Sequence, residues 1–78
     1  MTLYYFNVYN DDVTIDDQGA ELADEHAARA YAVKAVRSLA SETVRHGHLV
    51  GSHRVEIVDS KQNHVGEVRF DEAVDIKP

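Results

Sequence analysis

The sequence predicts an α+β domain with element order β-β-α-β-β, an antiparallel sheet of about four strands with one helix packed on one face. Three observations lead there. Apolar residues alternate with polar ones near both ends of the chain. A long central stretch instead repeats its apolar positions at spacings of three and four. The strand-like segments are joined by short, turn-rich connections, which favour antiparallel hairpins over parallel crossovers. With 78 residues the chain has room for one domain, spanning residues 1–78. A chain of that size buries only roughly 60% of its unfolded surface, so its core is modest.

Residues 3–9, LYYFNVY, are rich in aromatic and β-branched side chains and predict the first strand. Asn10-Asp11 forms the expected hairpin turn, because both residue types tolerate positive φ. Pairing Val8 with Val13 then sets Phe6 opposite Ile15, which puts both apolar pairs on one face and Tyr5, Asn7, Tyr9 and Thr14 on the other. Asp24 is the expected N-cap of the helix, with Glu25 at the positive end of its dipole. From there to about His46, Ala28, Ala32, Ala35, Val36 and Leu39 fall on one stripe, and Gly47 suits the left-handed residue that ends a helix. HRVEIVD (53–59) and HVGEVRF (64–70) predict a second hairpin around Lys61-Gln62. Its inward face carries Val55, Ile57, Gly66 and Val68, with His53 meeting Phe70. Its outward face carries Arg54, Glu56, Glu67 and Arg69, each Arg diagonal to a Glu. A short helical turn begun at Asp71 closes the chain.

Composition narrows the function classes. There is no cysteine, which excludes disulfides, zinc-thiolate sites and thiol nucleophiles. Eight basic and fourteen acidic residues give a net charge of −6. Before Arg29 there are seven acids and no Lys or Arg, so that segment carries −7 and the remainder +1. Nucleic-acid binding draws on cations that neutralise phosphates, and this acidic balance opposes it. No apolar run approaches the ~20 residues that span a bilayer. The N-terminus carries neither a basic leader nor a long apolar stretch, so the expected compartment is the cytoplasm.

YYFNVYNDD, DDQGAELADEHAARAYA, HRVEIVDS and VRFDEAV together resemble a family of very short bacterial proteins of unknown function. The shared pattern is an aromatic first strand, an acidic turn, a G-x-E-L-x-D-x-x-A-A helix start and a closing V-x-F-x-x-A. Here these are Gly19, Glu21, Leu22, Asp24, Ala27 and Ala28, then Val68, Phe70 and Ala73. The resemblance covers nearly the whole chain and implies a self-contained cytoplasmic domain. It brings no catalytic or binding residues with it.

Candidate sites come from the residues themselves. His46, His48 and His53 fall within eight positions, and two imidazoles on one side of an extended loop could share a zinc or nickel ion. The same residues have structural uses, His46 at a helix end and His53 at a strand start. The acidic stretch NDDVTIDDQGAE does not fit a calcium loop, since Thr14 stands where an acid is needed five places before Gly19. Asp11 and Asp12 suit a turn, Asp16 and Asp17 a solvated loop. Ser52-His53 point to opposite faces in extended backbone, no phosphate-cradling or hydrolase motif is present, and the expectation is a protein that is not an enzyme and takes no cofactor. A Glu56–Glu67 pair could hold shifted pKa values. The most informative feature is the sheet face a single helix leaves uncovered, with Tyr5, Asn7, Tyr9, Val58 and Val65. It predicts a non-catalytic protein-interaction module, a homodimer or a domain contacting a protein partner. Metal binding through the histidine loop ranks second. Nucleic-acid binding through the helix side bearing Lys34, Arg37 and Arg45 ranks third.

Overall fold

A computed structural model describes residues 1–10, 12–45, 47 and 50–74 of the chain. The first strand, β1 (Thr2–Tyr9), lies inside the sheet rather than at its edge. One of its sides pairs along Tyr4–Tyr9 with β4 (Arg54–Asp59), which pairs in turn with β5 (His64–Arg69). Its other side pairs with two short strands placed end to end, β2 (Val13–Thr14) and β3 (Ala20–Leu22). Every pairing is antiparallel, and one long helix, α1 (Glu25–Arg45), packs on one face. The α+β class, the antiparallel sheet and the single main helix therefore match the sequence expectation. The element order is β-β-β-α-β-β, with β3 the element that periodicity did not disclose.

The first hairpin is shifted by one residue from its expected register. Val8 pairs with Thr14 and Tyr9 with Val13. Three residues rather than two thus separate the paired ends Tyr9 and Val13 in the sequence. Asn10 is tied to Asp12: its Oδ1 accepts the Asp12 N–H at 3.0 Å, and its own N–H donates to the Asp12 carbonyl at 3.0 Å. Side chains alternate faces along a strand, so a one-residue slip exchanges them all. Val13 and Ile15, expected in the core, are 60% and 62% exposed, and Thr14 moves to the helix side with Val8.

Between β2 and β3 the chain leaves β1, and Asp16 fills the gap. Its Oδ2 accepts the Phe6 N–H at 3.1 Å, the donor a continuous partner strand would have taken. Its Oδ1 accepts the N–H groups of Gln18 and Gly19 at 3.0 and 3.1 Å, while its own N–H donates to Asn7 Oδ1. Gly19 has a φ of +72°, and a Cβ there would lie 2.8 Å from the Tyr4 carbonyl oxygen. Only glycine suits that approach. The loop aspartate expected to be solvated is therefore a structural plug.

Asp24 caps α1 as the sequence indicates, its Oδ1 accepting the Ala27 N–H at 2.9 Å. The buried stripe is Ala28, Ala32, Val36 and Ala40, while Ala35 and Leu39 are half-buried at its margins. Small side chains let the helix backbone approach the sheet closely, against Tyr4, Phe6, Val55, Ile57, Val68 and Phe70. Gly47, at φ +92°, donates its N–H to the Val44 carbonyl, as a helix-ending glycine does.

The β4–β5 register is the expected one, pairing Val55 with Val68, Ile57 with Gly66, Glu56 with Glu67 and Arg54 with Arg69. A bulge then pairs Val58 with His64 and leaves Val65 over. The closing turn is held by Asp59, whose Oδ1 accepts N–H groups of Lys61 and Asn63, both at 2.9 Å. The short helix α2 (Phe70–Ala73) begins one residue earlier than expected. His53 contacts Phe70 edge-on at 5.6 Å between ring centres, as the register implied.

Candidate functional site

The helix-free face follows from the pairing. Tyr4, Phe6 and Val8 turn toward α1, so Leu3, Tyr5, Asn7 and Tyr9 turn away, joined across the strands by Val58, Glu56 and Arg54. Side chains therefore fall into rows that cross the strands. One row holds Val13, Tyr9, Arg54 and Arg69, and the next holds Asn7, Glu56 and Glu67. The first row is cationic and aromatic, the second anionic.

Glu56 is the hub. Its Oε1 accepts the Tyr9 hydroxyl at 3.0 Å and Asn7 Nδ2 at 3.4 Å, and its Oε2 lies 2.9 Å from His64 Nδ1. The His64 hydrogen bond holds the Glu56 carboxyl below the usual glutamate range; burial pushes the other way, and Asn7 and Tyr9 add to the lowering. The same carboxylate raises the Tyr9 phenol above its ordinary value, with burial adding to the rise. The Arg54 guanidinium carbon lies over the Tyr9 ring, 4.4 Å from its centre, and Arg54 Nε meets Glu67 Oε2 at 2.9 Å. Arg69 grips Asp71 through Nε and Nη2 at 3.1 and 2.8 Å. A shallow hollow of about 360 Å³ runs over this network, lined by Ser52, Arg54, Glu56, His64, Glu67 and Arg69. The two opposed glutamates have separate partners, Glu56 held by Tyr9, Asn7 and His64 and Glu67 by Arg54.

The residues singled out from sequence divide three ways. Tyr5 and Tyr9 are half-buried on this face, available to a partner. Asn7 and Val58 lie beneath it, 7% and 5% exposed, and Asn7 serves as a brace between Asp16 and Glu56. Val65 is a correction: the bulge turns it to the other side, where it packs against the core under α1. That same bulge brings His64 to Glu56, a contact the regular register would have missed. Gly66 within the strand was the one available hint of it.

Of the histidine cluster, His46 and His48 lie outside the described residues. His53 is half-buried against Phe70, its N–H donating to the Val50 carbonyl and its carbonyl accepting from Phe70. Among the described residues no group of three or more His, Cys, Asp or Glu side chains could hold a metal ion. On the helix, Arg37 Nε donates to the Ala73 carbonyl at 2.9 Å and Arg45 sits 3.7 Å from Glu42. Among the described residues no helix is long and apolar enough to cross a membrane.

Fold and face define the class: a small two-layer α+β domain with one side of its sheet covered by a helix and the other an ordered polar and aromatic surface. The chain belongs to the family described as Domain of unknown function (DUF6894), whose model matches residues 3–71. No curated protein and no solved structure matches the chain.

Proposed function

We propose that this domain is a non-catalytic protein-interaction module that self-associates through the helix-free face of its sheet. The supporting observation is the pair of adjacent rows, Tyr9–Arg54–Arg69 beside Asn7–Glu56–Glu67. A symmetric dimer requires a patch complementary to itself. A two-fold axis lying in the interface between these rows sets the arginine row of one copy over the glutamate row of the other. Tyr5 and Tyr9 supply amphipathic contact area at the centre, and exposed Val13 extends it at the rim. A face this polar favours a reversible dimer over an obligate one.

Sedimentation velocity over a concentration series tests the reading. The expected result is a monomer–dimer equilibrium that weakens with added salt and is lost in Tyr5→Glu without a change in melting temperature. A chain that stays monomeric at high concentration in low salt overturns it.

A further inference from the structure

The outer side of α1 carries a second surface, on the opposite side of the molecule from the sheet's open face. Leu22 of β3 and Ala27, Ala30, Tyr31 and Val33 of the helix line a shallow hollow of about 530 Å³. Tyr31 is 45% exposed yet held in place, its ring 4.5 Å from that of Phe6. An aromatic side chain fixed before binding costs little entropy when a partner covers it.

Charge selects the partner. Lys34 and Arg37 border the same hollow. Elsewhere, Arg29, Arg45, Arg54 and Arg69 each have a carboxylate within ion-pair distance. Lys34 and Arg37 have none among the described residues, and Arg37 is aimed by a backbone carbonyl, that of Ala73. Between Glu25 and Glu42 the helix contains no acidic residue at all. On a chain of net charge −6, Lys34 and Arg37 make this side of the helix a cationic and apolar strip.

We propose that this strip docks an acidic amphipathic helix from another protein, its apolar side over Tyr31 and the alanines and its carboxylates against Lys34 and Arg37. Helices dock in shallow apolar grooves through residues spaced i, i+3, i+4 and i+7, and the two alanines leave room for close approach. The apolar floor and the pair of cations favour this occupant over a nucleic acid, whose affinity scales with the number of phosphates neutralised.

The test uses the whole chain and a fluorescein-labelled synthetic helix of about 18 residues, leucine on one face and glutamate on the other. A lysine-for-glutamate version, a generic DNA duplex and phosphatidylserine vesicles are the comparison probes. The acidic helix should bind, more tightly at low salt, and Lys34→Glu should weaken it about tenfold while leaving the circular dichroism and melting temperature unchanged. Ala30→Glu should weaken it as well, through the floor rather than the rim. Equal binding of the lysine version, indifference to Lys34→Glu, binding of duplex or vesicles in preference to the acidic helix, or no binding of the acidic helix at all would each overturn the proposal.

Discussion

Asp16 shows how much one side chain can do at the residue scale. Its carboxylate replaces the missing stretch of edge strand opposite Phe6 and ties down the turn leading to Gly19. Burial raises its pKa, but the N–H groups of Gly19, Phe6 and Gln18 outweigh that and hold the carboxyl below the ordinary aspartate value. Asp16→Asn turns an amide donor toward those donors. The expected cost is about 2 kcal/mol, a fall in melting temperature of about 10 °C. The sign of the pH dependence follows from the lowered pKa. The contribution is complete above the unfolded-state value and is lost as pH falls through the folded one. Thermal melts of the two proteins should therefore differ at neutral pH and converge in acid. The sequence shows Asp16 and Gly19 three residues apart, but nothing local says that the Phe6 N–H needs an acceptor, and so the residue looked like loop.

Secondary-structure elements raise the question of edges, since an open strand edge invites a strand from another chain. On one side β2 and β3 are only two and three residues long. On the other side β5 is guarded by a clasp. Arg29 Nη1 donates to the Glu67 carbonyl at 3.2 Å and Nη2 to Glu72 Oε2 at 2.9 Å, while Glu72 Oε1 accepts the Arg69 N–H at 3.1 Å. These contacts occupy two of the outward backbone groups that an added strand would use, the Glu67 carbonyl and the Arg69 N–H. The ion pair is exposed, so Arg29→Ala should cost under about 1 kcal/mol of stability. It should nevertheless raise light scattering markedly during incubation at high concentration. Scattering no faster than that of the unchanged chain would remove the clasp's role as a guard. The β4–β5 register was legible because valine, isoleucine and glycine alternate with arginine and glutamate. The β1–β2 register was not, because a two-residue and a three-residue loop both suit Asn10, and the choice lay in hydrogen bonds rather than in apolar pattern.

Across the whole molecule, the two-layer architecture separates its surfaces. The sheet's open face and the outer side of α1 point in opposite directions, with the core of Val36, Val55, Ile57, Val68 and Phe70 between them. Two partners could occupy them at once, and changes on one should not reach the other. Lys34→Glu is therefore expected to leave the sedimentation behaviour of the chain unchanged, whereas Tyr5→Glu is expected to leave binding of the acidic helix unchanged. Coupling between the two variants would mean that one surface serves both contacts.

Local patterning was enough to specify the α+β class, the span and cap of α1 and the pairing of β4 with β5. Each depends on side-chain period or on residues adjacent in sequence. The placement of β1 in the middle of the sheet, the short β3 on its flank, the slip of the first hairpin and the bulge at Val58 depend on partners distant in the chain. The candidate face shows the same division. Tyr5, Tyr9, Arg54 and Glu56 share one side because of strand alternation, which the sequence displays. Glu56 became a hub and Val65 a neighbour of the core because the bulge moved β5 by one position, and only packing against α1 and β4 selects that arrangement.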